Sequence, residues 1–430
     1  MTLRQAGVNL IDCDHRTPPA ADAGFPYIAI PQLKDGHLDL TDVRRISEAD
    51  FIEWTKKLKP RAHDVIVVRR CNSGDSALIP PDLECAIGQN LVVLRSESGV
   101  VHPKFLRWLV RGPEWWDQVG KYINVGAVFD SLRCRDIPNF ELTVPPFAEQ
   151  VAIAEVLDAL DDRIALLRET NATLESIAQA LFKSWFVDFD PVHAKSQGLA
   201  PAGMDEATAA LFPDGFEDSL LGQLPAGWRT GSILEIADLL SGGTPKTDRP
   251  EYWGGEIAWA SAKDVSQSSG SVLVSTERSI TAAGLERSPT KLIPRLATVV
   301  VARGATTGRM VMFGREMAMN QTCYGLTSKL GTPVALYCLL RREMDVLVNA
   351  AHGSVFDTIT TSTFAKSIVV HAPEELLVRF ESIARPMFER ITESTARVQT
   401  LAALRDALLP RLISGQLRLP EAEQATVELA

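Results

Sequence analysis

The chain has 430 residues, which is too long for one ordinary domain, so we expect two or three folded units. Hydrophobic residues make up 46% and charged residues 23%, and this composition excludes a disordered or fibrous protein. The net charge of −10 argues at first against a nucleic-acid partner, because neutralising phosphates requires Lys and Arg.

The acidic excess is confined to the middle of the chain. Residues 147–190 hold 3 basic and 9 acidic side chains, and residues 191–230 hold 2 and 5, which leaves −9 of the −10 in these two segments. Residues 1–146 and 231–375 are close to neutral. The overall charge therefore does not exclude DNA binding by those two larger segments.

Neither a membrane segment nor a secretion signal is predicted. There is no uncharged apolar run of about 18 residues, and Asp12, Asp14 and Asp22 interrupt the first 30 positions. The six cysteines include no C-x-x-C pair, which excludes a zinc ribbon and a thioredoxin-like motif. We expect a cytoplasmic protein with reduced thiols.

Residues 1–146 are predicted to form a mixed α/β domain, because β-branched runs at 65–68 and 91–94 lie between Gly and Pro breakers. A long helix is predicted over 147–190, entered through Pro145 and Pro146. At a length of about 37 residues it would span roughly 55 Å as a rigid spacer. Its heptad seam includes Leu157, Leu160, Ile164, Leu167, Asn171, Leu174 and Leu181.

Asn171 is a polar residue within this apolar seam. A buried amide is costly and can fix the register or orientation of a partner helix. Local access of solvent would instead make the residue merely tolerated. The sequence leaves both interpretations open.

Pro191 begins a predicted connector over 191–230, with Leu211–Pro213 and Leu224–Trp228 as anchoring contacts. A second mixed α/β domain is predicted over 231–375, with strands near 298–301 and 367–370. A second long helix over 376–418 and a tail over 419–430 follow. The stripe of the second helix is weaker and includes Met387, Ile391, Val398, Leu401 and Leu408.

The strongest organisational signal is an internal repeat. The sequence GAVFDS at 126–131 recurs as GSVFDT at 353–358, a spacing of 227 residues, and the same spacing carries Pro146 onto Pro373. VIVVR at 65–69 aligns with VVVAR at 299–303 at a spacing of 234, and Gln89 aligns with Gln321 at 232. We predict two copies of one domain, each followed by a long helix, with the two helices packed as an antiparallel pair and the copies related by an approximate two-fold axis.

The whole chain resembles the specificity subunit of type I restriction-modification systems. The segments that carry this resemblance are DCDHRTP at 12–18, VPPFAEQ at 144–150, LFKSWF at 181–186, SGGTPK at 241–246 and LLPRLISG at 408–415. No single motif is decisive, but the Pro-Pro motif leading into a long heptad helix, within a repeated plan, is specific. The second copy departs from it, with Glu374-Glu375 where the first has Phe147-Ala148.

The resemblance implies two target-recognition domains that each read half of a split site in double-stranded DNA, and paired helices that set the gap. It also implies partners: two methyltransferase subunits that bind S-adenosylmethionine and methylate adenine, and endonuclease/translocase subunits that use Mg²⁺ and ATP. The chain itself is expected to be non-catalytic, with no cofactor and no metal.

Two loops follow equivalent predicted strands and carry groups suited to DNA. Arg can bond guanine, amides can bond adenine, and hydroxyls can hold phosphate. Tight strand connections with solvated arginines are the alternative. The candidate loop residues are Arg69, Arg70, Asn72 and Ser73 in the first copy and Arg303, Thr306, Thr307 and Arg309 in the second.

Further candidates are the amides Gln89, Asn90 and Gln321, with Asn320 beside the last, and the phosphate-contact candidates Lys246 and Lys263. The amides could instead cap turns, and surface lysines often have no partner. Trp115 and Trp116 could stack on bases, although core packing is favoured by the neighbouring Leu109 and Val110.

Several other sites are disfavoured. Gly304–Arg309 lacks the spacing and the Lys-Ser/Thr ending of a phosphate loop. Val144 replaces the polar residue of the methyltransferase tetrad that VPPF resembles. Asp12, Asp14 and His15 are adjacent potential metal ligands without a distant fourth. The remaining alternatives to DNA recognition are a coiled-coil scaffold without a DNA role and an enzyme acting alone.

Overall fold

The computed structural model describes residues 1–126, 129–219, 221–352, 358–422 and 424, with the backbone alone at 345 and 349–352. It divides into two compact units: residues 1–164 with 400–430, and residues 165–399. Most of the repeated hexapeptide, Ala127, Val128 and residues 353–357, lies outside the described residues.

The first unit is a mixed α/β domain packed against the ends of two long helices. Its strands are β1 (Val8–Asp12), β2 (Phe25–Ile28), β3 (Leu33–Lys34), β4 (His37–Leu38), β5 (Arg44–Ile46), β6 (Val65–Val68), β7 (Ser76–Leu78), β8 (Ala86–Ile87) and β9 (Leu91–Ser96). Its helices are α1 (Glu48–Trp54), α2 (Pro103–Leu109), α3 (Pro113–Tyr122) and the first part of α4 (Phe147–Phe186).

The main sheet of the first unit has the order β1-β9-β6-β7 and is antiparallel throughout. All four residues of β6 are buried, which explains why this strand reads as a continuous β-branched run. A second sheet has the order β5-β2-β8, in which β2 and β8 are parallel. The apolar residues between the sheets form the core of the domain.

The second unit contains the larger number of elements. Its strands are β10 (Phe216–Ser219), β11 (Gly222–Pro225), β12 (Arg229–Ser232), β13 (Ala237–Ser241), β14 (Trp253–Ala260), β15 (Val272–Leu273), β16 (Arg278–Ile280), β17 (Leu292–Ile293), β18 (Thr298–Val301), β19 (Met310–Phe313), β20 (Met317–Met319), β21 (Cys323–Ser328) and β22 (Ile368–His371). Its helices are α5 (Asp190–Ser196), α6 (Glu206–Ala210), α7 (Ile233–Ile236), α8 (Ala262–Gln267), α9 (Ala282–Glu286), α10 (Pro333–His352), α11 (Thr361–Lys366) and most of α12 (Glu374–Ile413).

The second unit repeats the plan of the first. The order β13-β21-β18-β19 corresponds to β1-β9-β6-β7, with β15 added at one edge, and the second sheet, β16-β14-β20-β17, contains a parallel pair β14-β20 like β2-β8. The predicted fold class, two repeated mixed α/β domains with long helices, is confirmed.

Both long helices are 40 residues long and differ slightly from their predicted bounds. The first ends at Phe186 and not at 190, because Phe189 adopts a left-handed backbone (φ 54°) and Pro191 sits in the first turn of the separate helix α5. The second begins at Glu374, directly after Pro373, and ends at Ile413, shortly before Gly415 with φ 71°.

Within each unit the α4 and α12 segments run antiparallel. In the first unit Arg405 Nη1 lies 2.6 Å from Asp161 Oδ1, and in the second Asn171 Nδ2 donates to Thr395 Oγ1 at 3.2 Å. As α4 advances by ten residues, its partner on α12 recedes by ten. The buried seam residues include Leu157, Leu160, Ile164, Leu167, Ile391, Val398, Leu401 and Leu408, whereas Asn171, Leu174, Leu181 and Met387 are half-buried.

The stripe of α12 differs from the predicted one at a single position: Phe388 is fully buried where Met387 was expected to face the partner. The predicted positions that follow, Ile391, Val398, Leu401 and Leu408, are buried, so the difference is local: the Phe388 ring packs edge-on against Tyr337 at 5.3 Å and takes the buried place.

The predicted connector is an ordered part of the second unit. Phe212 and Trp228 are buried, and Phe212 contacts Trp185 edge-on with ring centroids 5.3 Å apart. Trp228 lies 6.0 Å from Phe186. The region therefore packs onto the end of α4. Among the described residues, we find no helix that combines the length and apolarity a membrane crossing requires.

Candidate DNA-recognition site

In the first unit three loops meet at one edge of the main sheet: the segment after β1, the turn before β9, and the β6–β7 loop over 69–74. The backbone N–H of Arg69 donates to the Asn90 carbonyl at 2.8 Å, and His15 Nδ1 lies 3.2 Å from the Gln89 carbonyl oxygen. The segments that form this edge are thus neighbours in space, although His15 and Gln89 lie 74 positions apart in sequence.

The 69–74 loop is a tight, left-handed connection. Cys71 and Asn72 both have φ 56°, and the N–H of Gly74, at φ 103°, donates to the Val68 carbonyl at 2.9 Å. A side chain at Gly74 would collide with Val119 and Trp116. The loop is therefore built to one shape and presents its outer side chains without much freedom.

The candidates at this edge of the sheet, in the 69–74 loop and in the turn before β9, differ in exposure. Arg70, Asn72 and Gln89 are exposed, and Arg69 and Asn90 are half-buried. The Arg70 guanidinium lies over the Phe129 ring at 5.6 Å. Ser73 is buried, and its hydroxyl donates to the Arg69 carbonyl at 2.9 Å, so this side chain holds the loop together.

The two tryptophans of α3 separate in role. Trp115 is fully buried and its indole N–H donates to the Gly74 carbonyl at 2.9 Å, which makes it a support for the loop. Trp116 is 45% exposed. Packing in the hydrophobic core, the favoured interpretation of both residues, therefore holds for Trp115 but not for Trp116.

The β18–β19 loop of the second unit closes in the same way. The Gly308 N–H donates to the Val301 carbonyl at 2.9 Å, and Thr307 Oγ1 donates to the Gly304 carbonyl at 2.7 Å. Arg303 and Arg309 are exposed, while Thr306 and Thr307 are half-buried. Two arginines therefore flank a rigid, glycine-containing turn.

The hydrogen bonds around both loops correct the alignment of the repeat. Leu132 N–H donates to the Arg69 carbonyl at 2.8 Å, and Ile359 N–H donates to the Ala302 carbonyl at 2.9 Å. Arg69 therefore corresponds to Ala302, and Arg70 corresponds to Arg303. The predicted spacing of 234 was wrong by one at this point because the second loop is one residue longer, and the insertion falls inside the loop.

The second unit brings its remaining amide candidate to the same edge. Gln321 is exposed, and its side-chain oxygen accepts a hydrogen bond from Thr244, two residues before Lys246. Asn320 caps a turn, since its side-chain oxygen accepts from the Thr322 hydroxyl at 2.7 Å. Lys246 is exposed, whereas Lys263 on α8 is paired with Glu277 at 2.7 Å.

Each unit also stacks an arginine on a tryptophan beside this edge, a feature that the sequence did not predict. Arg16 lies 4.7 Å from the Trp54 ring, and Arg278 lies 3.5 Å from the Trp253 ring. The indole N–H of Trp54 donates to the Arg16 carbonyl, and that of Trp253 to the Lys246 carbonyl. The paired residues are 38 and 25 positions apart, so no local spacing could reveal them.

Asp12, Cys13 and His15 bring their donor atoms within 4.8 Å of one another in the first unit. His15 Nε2 lies 3.0 Å from Asp12 Oδ2, and the Cys13 thiol contacts the Gly88 carbonyl at 3.1 Å. Burial raises the pKa of the Cys13 thiol to about 11. These contacts give the three side chains a structural role, and three ligands are one fewer than a structural zinc site uses.

A family model described as "Type I restriction modification DNA specificity domain" matches residues 16–176 and 225–374, one match for each repeat. The chain belongs to this family. The predicted membership and the predicted function, recognition of a DNA sequence as a type I specificity subunit, are thereby confirmed, and no observation favours a scaffold without a DNA role.

Two relatives match over most of their length. The HindI specificity subunit of Haemophilus influenzae is 24% identical over 81% of this chain and 85% of its own. The MjaIX specificity subunit of Methanocaldococcus jannaschii is 25% identical over 88% of this chain and 83% of its own. A solved S subunit from M. genitalium, 14% identical, superimposes with a TM-score of 0.57 over 96% of this chain and 95% of its own, which shows a shared fold.

In this specificity subunit the candidate DNA contacts lie on short loops held by a rigid sheet, the arrangement in which exposed polar side chains most often act. The DNA roles of the individual residues stay predictions. The exposed members of the set are Arg70, Asn72, Gln89, Lys246, Lys263, Arg303, Arg309 and Gln321.

Proposed function

We propose that each repeated domain reads one half of a split site in double-stranded DNA, and that the long helices set the number of base pairs between the halves. A continuous helix of 40 residues spans about 60 Å. A rigid element of that length suits a fixed gap between two readers.

The observation that carries the proposal is the duplicated loop edge. The loops over 69–74 and 303–309 close with matching backbone hydrogen bonds, and each presents an exposed arginine at the corresponding position, Arg70 or Arg303. Arginine can bond guanine bidentately in the major groove. Two equivalent edges with different neighbouring side chains suit the reading of two different half-sites.

The chain acts within a larger assembly in this proposal. Two methyltransferase subunits bind S-adenosylmethionine and methylate adenine, and endonuclease/translocase subunits use Mg²⁺ and ATP, in the cytoplasm where the DNA lies. The specificity subunit itself contributes no catalytic group. Val144 supports this, because it stands where the related methyltransferase tetrad has a polar residue that bonds the target amine.

The experiment compares Arg70→Ala with Arg303→Ala in the assembled methyltransferase complex, using single-molecule sequencing to read N6-methyladenine. Losing one bidentate base contact reduces discrimination at one base pair by about 5- to 150-fold. Arg70→Ala should relax one half-site and Arg303→Ala the other. Arg390→Ala, an exposed change on α12, is the matched control and should leave the motif unchanged.

Relaxation of the same half-site by both arginine variants would contradict the assignment of one half-site to each domain. Catalysis is tested separately, with purified chain, DNA and S-adenosylmethionine. We expect no transfer of methyl groups, and methylation by the chain alone would overturn the non-catalytic assignment.

A further inference from the structure

Three charged side chains meet in the interior of the first unit, where its recognition domain contacts the long helices. Asp161 of α4 has a fully buried side chain, and those of Arg107 on α2 and Arg405 on α12 are 6% and 3% exposed. Arg405 Nη1 donates to Asp161 Oδ1 at 2.6 Å, and Arg107 donates to the other oxygen of the same carboxylate. We call these three residues the ionic cluster.

The ionic cluster has an outer layer that reaches the β3–β4 hairpin. His37 Nε2 lies 3.1 Å from Asp161 Oδ2, and Asp35 accepts from Arg111 at 2.9 Å. Burial alone would raise the pKa of Asp161, but the His37 hydrogen bond and the two arginines outweigh it and hold this pKa well below its usual range. Asp161 is therefore charged at neutral pH.

The second unit has aromatic and small side chains at the corresponding place, where the Tyr337 hydroxyl donates to Glu175 Oε1 at 3.1 Å. The 227-residue spacing equates Asp161 with Phe388, and equates Ala178 with Arg405. The start of α2 at Pro103 and of α10 at Pro333 equates Arg107 with Tyr337. Tyr337 and Phe388 pack edge-on at 5.3 Å, and both belong with Ala178 to one buried apolar cluster.

The buried charges of the first unit have two candidate roles: forming the contact between domain and helices, or selecting which domain makes that contact. The second unit packs a recognition domain onto the same two helices with Tyr337, Phe388 and Ala178 at these positions, so the two buried arginines are not required for such a contact to form. Buried ion pairs contribute little net stability, because desolvation offsets their attraction, but removing one partner is costly. The ionic cluster therefore bears on which recognition domain docks at this place, and less on the net stability of the docking.

Resting on the proposed function, we propose that the ionic cluster positions the first recognition domain by making its docking on the helices selective and directional. A domain carrying Tyr337 at this place would leave the Asp161 carboxylate without its second arginine. A domain carrying Arg107 at the other place would bury that guanidinium against Phe388 and Ala178. The cluster thus holds the first recognition domain at one position on the helices, and we expect this to restrict the gap between half-sites to one length.

The test uses two variants of the full chain, in complex with the methyltransferase subunits. The triple variant Arg107→Tyr, Asp161→Phe and Arg405→Ala introduces the three residues of the second unit, and Asp161→Phe alone removes the carboxylate that both buried arginines share. We expect the single variant to lower the unfolding temperature by about 10 °C. The triple variant should unfold within about 3 °C of wild type, because the shared carboxylate and both of its arginines are removed together.

The functional readout is the set of methylated sites. The triple variant should methylate sites whose gap differs from the wild-type gap by one base pair, to at least a tenth of the level at the original sites. The converse variant, Ala178→Arg, Tyr337→Arg and Phe388→Asp, gives both places the same charges and should broaden the gap in the same way.

Two results would overturn the proposal. One is a triple variant as unstable as Asp161→Phe, since the charges would then be needed for docking itself. The other is a stable triple variant that methylates only the wild-type gap. Failure of the proposed function looks different, because wild-type chain would then give no split motif at all.

Discussion

Gln150 closes the Pro-Pro motif at the start of α4 and is fully buried. Its side-chain oxygen accepts from the His102 N–H at 2.7 Å, and its Nε2 donates to the carbonyls of Pro145 at 2.7 Å and Val100 at 2.9 Å. This one amide joins the segment before α2 to the entry of the long helix. We predict that Gln150→Met weakens that junction.

The size of the effect follows from the groups left without partners. Met has a similar length but no donor or acceptor of the required kind. Val100 is 39% exposed, so water can replace the bond to its carbonyl. The His102 N–H and the Pro145 carbonyl remain, and each unsatisfied group costs about 1–3 kcal/mol, which gives about 2–6 kcal/mol for the pair.

Hydrogen exchange of the α2 amides measures this loss within the first unit. A change of about 2–6 kcal/mol corresponds to exchange that is about 30- to 20,000-fold faster, when the opening equilibrium sets the exchange rate. Glu155→Met places the same side chain at an exposed position of the same helix and should change stability by less than about 0.5 kcal/mol. Exchange within threefold of wild type in Gln150→Met would refute the reasoning.

Three further predictions concern other residues. Burial raises the pKa of Glu381, whose carboxylate accepts a hydrogen bond from the Val334 N–H at the start of α10. Wild-type stability should therefore fall as pH rises from about 4.3 through that raised pKa, and thermal unfolding of Glu381→Gln should lack this dependence. Parallel pH curves for the two proteins would contradict this expectation. Asn171→Leu should stabilise the second unit by about 1 kcal/mol in denaturant unfolding, because Asn171 Oδ1 is buried with no hydrogen-bond partner in the described part of the chain; a loss of stability would argue against this. Cys71 is exposed in the 69–74 loop, so it should be alkylated in the native protein. DNA bearing the recognised site should slow this alkylation at least tenfold. An unchanged rate would show that the loop does not contact DNA.

The repeat could be predicted because its signals are local patterns within short stretches of sequence. Strands such as β6 and β18 are β-branched runs bounded by breakers, and the heptad seam of α4 follows from spacing alone. The exposed loop arginines could be found because they follow those strands directly. The alignment failed by one residue in the strand that precedes the 303–309 loop, because the insertion inside that loop leaves no trace in the pattern.

Long-range contacts between polar side chains could not be predicted in the same way. Arg405 interrupts the apolar stripe of α12, and no local spacing shows that it donates to Asp161, 244 positions away, a carboxylate that it shares with Arg107. Arg278 stacks on Trp253 from a neighbouring strand. Such pairs depend on how elements pack, and one sequence carries no signal for that.

In the proposed function, this chain directs methylation by reading a split DNA site. The most direct measurement is single-molecule sequencing of N6-methyladenine in DNA from cells that express the methyltransferase subunits with and without the chain. We expect one motif of two short blocks separated by a fixed gap, present only with the chain. An assembled complex whose methylation shows no motif dependent on the chain would contradict it.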